Sequence, residues 1–260
     1  MASPERSVKV DAIVIRHKDW GEADRLLTLY TQQKGKIRSI AKGVRKLNSR
    51  KSGHLEPFSR VKLQLAKGKD FWIVTQAETV ASNMAVQTDL SALGYASYAC
   101  ELVDRFSLEE EQNTTLFQLL AETMQRLGKG QECQIAIRYF EIHLLDLLGY
   151  KPRLQTCASC SAEIKPEAQY FSIEQGGVIC PACAQKGKNV GLPVSLEALK
   201  YLRHFQRNTY MVARRAIVSM VTMLEMEKLL QTHLTYLLEQ RIRSTDFIQL
   251  IRQQEKQVGN

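Results

Sequence analysis

Hydrophobic positions change period once along the chain, from two to about 3.6, and the change divides it. Over residues 8–15, Val8, Val10, Ala12 and Val14 alternate with Lys9, Asp11, Ile13 and Ile15, which predicts a strand. Four more short β-rich runs follow, at 26–31, 36–41, 61–66 and 71–76, with punctuation such as Lys34-Gly35 and Lys67-Gly68-Lys69 between them. Five short strands in about 80 residues predict a small barrel of the OB type, although strand counting alone does not separate it from an SH3-like barrel. Beyond residue 84 the pattern is helical. Leu90, Leu93, Tyr95, Ala96, Ala99, Leu102, Val103 and Phe106 mark one amphipathic helix. Residues 116–127 mark a second that stops at Gly128. A third, 133–148, is apolar on most sides and predicts the centre of a bundle. Helices at 195–208, with Ser195 as N-cap, 212–238 and 245–254 complete it. The expected fold is α+β: an OB-type barrel over 1–83, helical residues 84–152 and 191–260, and between them an inserted module at 153–190.

Charge sharpens this division. The net charge is +9, from 36 Lys and Arg against 27 Asp and Glu. Residues 1–83 hold 17 basic and 8 acidic residues, so the other 177 residues, with 19 of each, are neutral. Within the barrel, Lys34, Lys36, Arg38, Lys42, Arg45, Lys46, Arg50 and Lys51 follow one another without an acidic residue. Such a run is either a solvated face or a footprint for a polyanion, and its confinement to one domain favours nucleic acid.

The insert is defined by cysteine. Cys157-Ala-Ser-Cys160 and Cys180-Pro-Ala-Cys183 are two C-x2-C pairs separated by nineteen residues, the spacing of a four-thiolate zinc site. A hairpin turning at Gln175-Gly176-Gly177 fits the gap. Four thiolates leave no open coordination position, so one structural Zn2+ is expected. Two disulfides or a redox pair are the alternatives. The first residues lack the apolar stretch of a signal peptide and no run is long enough to cross a bilayer, so a cytoplasmic, reducing setting is expected, which disfavours both alternatives. Cys100 and Cys133 fall in helices and are expected to pack as small apolar residues.

No enzyme motif is present. Every Gly-Lys pair lacks the following Ser or Thr of a P-loop, and H-E-x-x-H, G-x-S-x-G and G-x-G-x-x-G are missing. The five histidines are scattered. The expectation is a binding protein. Trp20, Tyr30, Phe71 and Trp72 lie in or beside strands, where most should pack in the core and one or two could face a groove.

Several short segments, in order, make the chain resemble the RecO family of bacterial DNA repair proteins. They are Trp20-Gly-Glu22 with Asp24, Gly35-Lys36-Ile-Arg38, Ala41-Lys42-Gly43-Val-Arg45, Gly53-His-Leu55-Glu-Pro57-Phe58, Arg138-Tyr-Phe140-Glu141, Leu148-Gly149-Tyr150, the cysteine pairs and Arg243-Ser244-x-x-Phe247. The resemblance covers nearly the whole chain. It implies an OB domain, a helical domain and a zinc module. The function it implies is recombination mediation in a RecF-type pathway: binding ssDNA and dsDNA, annealing complementary strands, and acting with RecR to load RecA on DNA coated by single-strand-binding protein (SSB). RecF and RecA would be indirect partners, the setting the nucleoid, and no nucleotide would be hydrolysed. A different reading, an RNA- or ribosome-binding zinc protein, shares the barrel and the four cysteines. The resemblance also implies contact with the acidic, Phe-terminated tail of SSB. Arg138 and Tyr139, on the apolar helix, are the residues assigned to it, with the Arg138 guanidinium at a groove's lip gripping a carboxylate. The alternative is that this helix is only the centre of the bundle.

Overall fold

In a computed structural model, residues 6–130, 132–186 and 191–258 are described. Five strands form a closed barrel in the order β1-β2-β3-β5-β4: β1 (Ser7–Trp20), β2 (Asp24–Thr31), β3 (Gly35–Ala41), β4 (Arg60–Lys67) and β5 (Trp72–Ala81). β1 is long enough to serve two neighbours. Its first half pairs with β4 and its second with β2, across an irregularity between Val14 and Arg16 that bends it. Alternation does the rest. Val61, Leu63 and Leu65 of β4 and Ile37 and Ala41 of β3 point into a core with Val10, Val14, Leu27, Leu29 and Val74. Lys36 and Arg38 therefore lie on the outer face of β3. Closure is narrow: β3 and β5 run parallel and share only the pairs Ser39↔Trp72 and Ile40↔Ile73.

The helices are α1 (Met84–Thr88), α2 (Leu90–Phe106), α3 (Thr114–Leu127) and α4 (Cys133–Leu147), then α5 (Pro181–Lys186), α6 (Leu196–Arg207), α7 (Tyr210–Ala213), α8 (Met220–Leu238) and α9 (Ser244–Val258). Caps fix where several begin: Asp89 accepts from the Ala92 amide, Asn113 from Leu116, and Ser195 from Ala198. The single helix expected over 212–238 is broken. Ser219 accepts from the Thr222 amide and starts α8 anew, leaving α7 as one short turn. Between α4 and α6, β6 (Gln169–Ser172) pairs with β7 (Gly177–Ile179) and also with β8 (Leu192–Val194), a third strand that the hairpin pattern did not predict. The expected module end at residue 190 lies outside the described residues. Among the described residues no helix is long and apolar enough to cross a membrane.

Two compact units result, 1–133 with 242–260, and 134–241. The helical residues are thus shared between them, because α9 returns to pack on α2, where Gly94 faces Ile248 and Ile251. That return is fixed by Glu101. Its carboxylate accepts from the Arg243 amide (3.0 Å), the Ser244 amide (2.8 Å) and the Ser244 hydroxyl (2.6 Å), capping α9, and pairs with Arg105 at 2.7 Å. Burial raises its pKa, but the Ser244 hydroxyl and the two amides outweigh burial and leave it lowered.

Glu101→Gln is expected to destabilise the barrel-bearing unit by about 1–3 kcal/mol in urea denaturation at neutral pH. A depressed carboxyl stabilises above its unfolded pKa and loses that contribution as pH falls through the folded one, so the gap between wild type and variant should close below about pH 4.

Candidate nucleic-acid interface and metal centre

The eight cations of the basic run do not form one surface. Beyond β3 the chain makes a loop over residues 42–51 whose base is anchored. The Gly43 amide donates to Asp24 Oδ1 (2.7 Å), the Arg45 amide to the Ala23 carbonyl (2.9 Å), and Val44 is buried. This accounts for Asp24 and the Ala-Lys-Gly-Val-Arg segment. The anchored loop projects Lys42, Lys46 and Arg50 into solvent, and among the described residues these three carry no ion pair. Leu47 stands fully exposed between them. Arg45 is exposed but leans on Asp19 (3.3 Å). Lys51 is a strut: its Nζ donates to the Lys42 and Val74 carbonyls, both at 3.1 Å, and ties the loop to β5.

The three cations nearest the start of β3 are engaged differently. Lys34 Nζ sits 5.2 Å from the centre of the Trp72 ring. Lys36 donates to the Asp104 carbonyl (2.5 Å) and lies 3.4 Å from its carboxylate, while Arg38 pairs with Glu109 at 2.7 Å. Neither acidic partner stands out in the sequence. Their domain is neutral in sum, which conceals the local run Glu109-Glu110-Glu111. Of the four aromatic residues, Tyr30 is buried, Trp20 is half exposed, and the buried Trp72 donates its indole N–H to Glu110 (3.1 Å).

The cysteine pairs meet. All four Sγ atoms lie within 4.8 Å of one another, with Cys160 and Cys180 at 4.0 Å. Four sulfurs about 2.3 Å from one ion would stand about 3.8 Å apart, so the cluster could hold one metal with little adjustment. Turn geometry brings them there. The Cys157 amide donates to the Ala162 carbonyl and the Ser161 amide to the Cys157 carbonyl, forming one knuckle, and the Cys180 amide donates to Cys157 Sγ across to the other. Burial opposes ionisation of Cys157, yet amides of Cys160, Cys180 and Ser159 bring its thiol down to about 6. Cys183 is held up at about 12 by hydrogen bonds with Cys180 and Cys160. The module is seated on α8, where His233 packs edge-on against Phe171 of β6, 5.4 Å between ring centres.

Arg138 is not at a lip. Its side chain is completely buried, with Nε 3.1 Å from Glu141 and Nη2 3.6 Å from Glu227 of α8. A guanidinium in the interior must be neutralised by carboxylates, and these are what hold it, so it is not available to a peptide. Tyr139 is half-buried, against His143 and Tyr210. The same unit instead opens a groove of about 880 Å³ along α6 and α7, with Lys200, Arg203, Arg207 and Arg215 beside Val212 and Ile217. No acidic residue lies between Glu197 and Glu225, a local window that whole-domain charge averages away.

Two family models match the chain: Recombination protein O N terminal over residues 5–83 and Recombination protein O C terminal over residues 87–246. The DNA repair protein RecO of Roseiflexus sp. (strain RS-1) is 41% identical over 249 residues, 96% of this chain and 87% of that protein. The DNA repair protein RecO of Dehalococcoides mccartyi (strain ATCC BAA-2100 / JCM 16839 / KCTC 5957 / BAV1) is 37% identical, covering 94% of this chain and 96% of its own. That of Desulforamulus reducens is 35% identical over 92% of this chain.

Cys180→Ser is expected to lower the melting temperature by ~10 °C or more, because metal binding supplies folding free energy to a segment with little core of its own. Acidification should act the same way on the wild type. Protons compete with the ion for the four thiolates, so metal measured by emission spectrometry after dialysis should drop as the pH is lowered. Full metal retention by the Ser variant would contradict this.

Proposed function

This chain belongs to the RecO family of DNA repair proteins, and on that premise we propose that it binds single- and double-stranded DNA through its 42–50 loop, anneals complementary strands, and acts with RecR to help RecA replace SSB at gaps. The observation that carries this reading is the set of three exposed cations, Lys42, Lys46 and Arg50, on a loop pinned by Asp24 and Val44. Pinned cations neutralise phosphates without reading base edges. Two strands whose phosphates are screened and whose bases are untouched are free to pair. Annealing therefore needs no nucleotide hydrolysis. RecF and RecA would be engaged indirectly, and the work would be done in the cytoplasm on nucleoid DNA. The metal we assign to the cysteine cluster is zinc, one ion held by Cys157, Cys160, Cys180 and Cys183, because four thiolates and no open position suit a closed structural site.

For the tail of SSB, we assign the α6–α7 groove rather than Arg138. An acidic peptide ending in Phe would find Lys200, Arg207 and Arg215 for its carboxylates and Val212 and Ile217 for its ring.

Three measurements check these assignments. Reversing Lys42, Lys46 and Arg50 to Glu should weaken ssDNA binding at least about tenfold and flatten the log–log salt slope by roughly 2, at about 0.7 for each phosphate no longer neutralised. An unchanged slope would refute the interface. With a fluorescent tail peptide, Arg207→Glu with Arg215→Glu should abolish binding while the melting temperature holds. Arg138→Ala should instead destabilise the fold by about 3–5 kcal/mol, since it strands two buried carboxylates.

A further inference from the structure

The seven residues between α2 and α3, 107–113, lie along the barrel as a strap. The Glu110 amide donates to the Lys36 carbonyl (2.8 Å), Lys36 and Glu109 form a parallel β-bridge, and the Gln112 side chain donates to the Gln32 carbonyl (3.0 Å). The seat is close. A Cβ at Gly35 would stand 1.8 Å from the Glu111 carbonyl oxygen, so only glycine admits the strap there. Its side chains then engage the barrel's cations and its buried indole: Glu109 on Arg38, Glu110 on the Trp72 N–H, and Asp104, just upstream on α2, on Lys36 and Arg16.

Carboxylates offer the Arg38 guanidinium and the Trp72 N–H the anionic oxygens that a phosphate would offer. We propose that Glu109 and Glu110 are a built-in mimic of nucleic acid that masks Arg38 and Trp72 until a DNA strand entering from the 42–50 loop displaces it. The proposal rests on the interface reading above and adds a regulation of that same site. The charge contact to be broken is a weak one. The Arg38–Glu109 pair is more than half exposed on its Arg38 side, at 57%, and solvated pairs of this kind contribute little to stability. The strap is bounded by the ends of two capped helices, Ser107 closing α2 and Asn113 opening α3, so it can lift without unwinding either and frees Arg38 while Asp104 of α2 keeps Lys36. A strand of phosphates, by contrast, releases its condensed counterions on meeting the same cations. The strap thus sets a threshold: short or sparse anions leave it seated, and a long strand anchored on Lys42, Lys46 and Arg50 lifts it.

The test uses the full chain, an oligothymidylate and the isosteric double variant E109Q and E110Q, which retains the strap's backbone contacts. The variant should bind about three- to tenfold more tightly at low salt, the gain fading as salt rises. In the wild type, saturating oligothymidylate should speed hydrogen exchange at the Glu110 amide, which reports lifting and not charge alone. Equal affinities, or exchange at Glu110 that is unchanged or slowed by DNA, would overturn the strap while leaving the interface standing. If the wild type binds no oligothymidylate, or if reversing Lys42, Lys46 and Arg50 changes nothing, the interface falls and the strap falls with it.

Discussion

Closure of the barrel through two residue pairs is the constraint on which the surface chemistry depends. β3 must satisfy its backbone along seven residues, yet β5 accompanies it only at Ser39 and Ile40. A strand edge left open is both a cost and a hazard. Near the start of β3 the strap covers the edge, and the Lys36 carbonyl accepts from Glu110. Because strand alternation turns Lys36 and Arg38 outward beside this edge, the segment that covers it is placed against two cations, and it is acidic. The basic run is thereby divided into a covered part on β3 and an open part on the following loop.

The same logic of pairing governs the second unit. An interior guanidinium is tolerable because two carboxylates surround it, so Arg138 organises the helical core, whereas the cations of the α6–α7 groove stay at the surface. The cysteine module, with three short strands, has too little apolar surface to fix its own geometry. Four sulfurs converging within 4.8 Å mark where an ion would supply the missing constraint. His233 stays uncharged in the interface between module and α8, its pKa pushed down to about 4 by burial, so the seat does not acquire a charge at neutral pH.

Much of this is legible in the sequence, for identifiable reasons. Alternation such as Val61, Leu63 and Leu65 specifies a strand by itself, and five such runs with turn residues between them specify a barrel. Cysteine spacing specifies a cluster because a C-x2-C knuckle is local. What cannot be read there is long-range. Lys36 and Lys51 look like Lys42 in sequence, and only the fold brings Asp104 to one and the Lys42 and Val74 carbonyls to another. Arg138 is an exposed-type residue on an apolar helix. Its buried state follows from Glu227, some ninety positions away. The break before α8 is visible in principle as Ser219 with Thr222 behind it, a cap hidden by the apolar residues around it.

Division of the basic run is the central claim, and lysine acetylation followed by mass spectrometry tests it most directly, with and without single-stranded DNA. In the free protein Lys42 and Lys46 should react at the rate of solvated lysines while Lys36 and Lys51 lag, and DNA should protect Lys42 and Lys46. Lys36 and Lys51 reacting as fast as Lys42 in the free protein, or DNA leaving Lys42 and Lys46 unprotected, would contradict it.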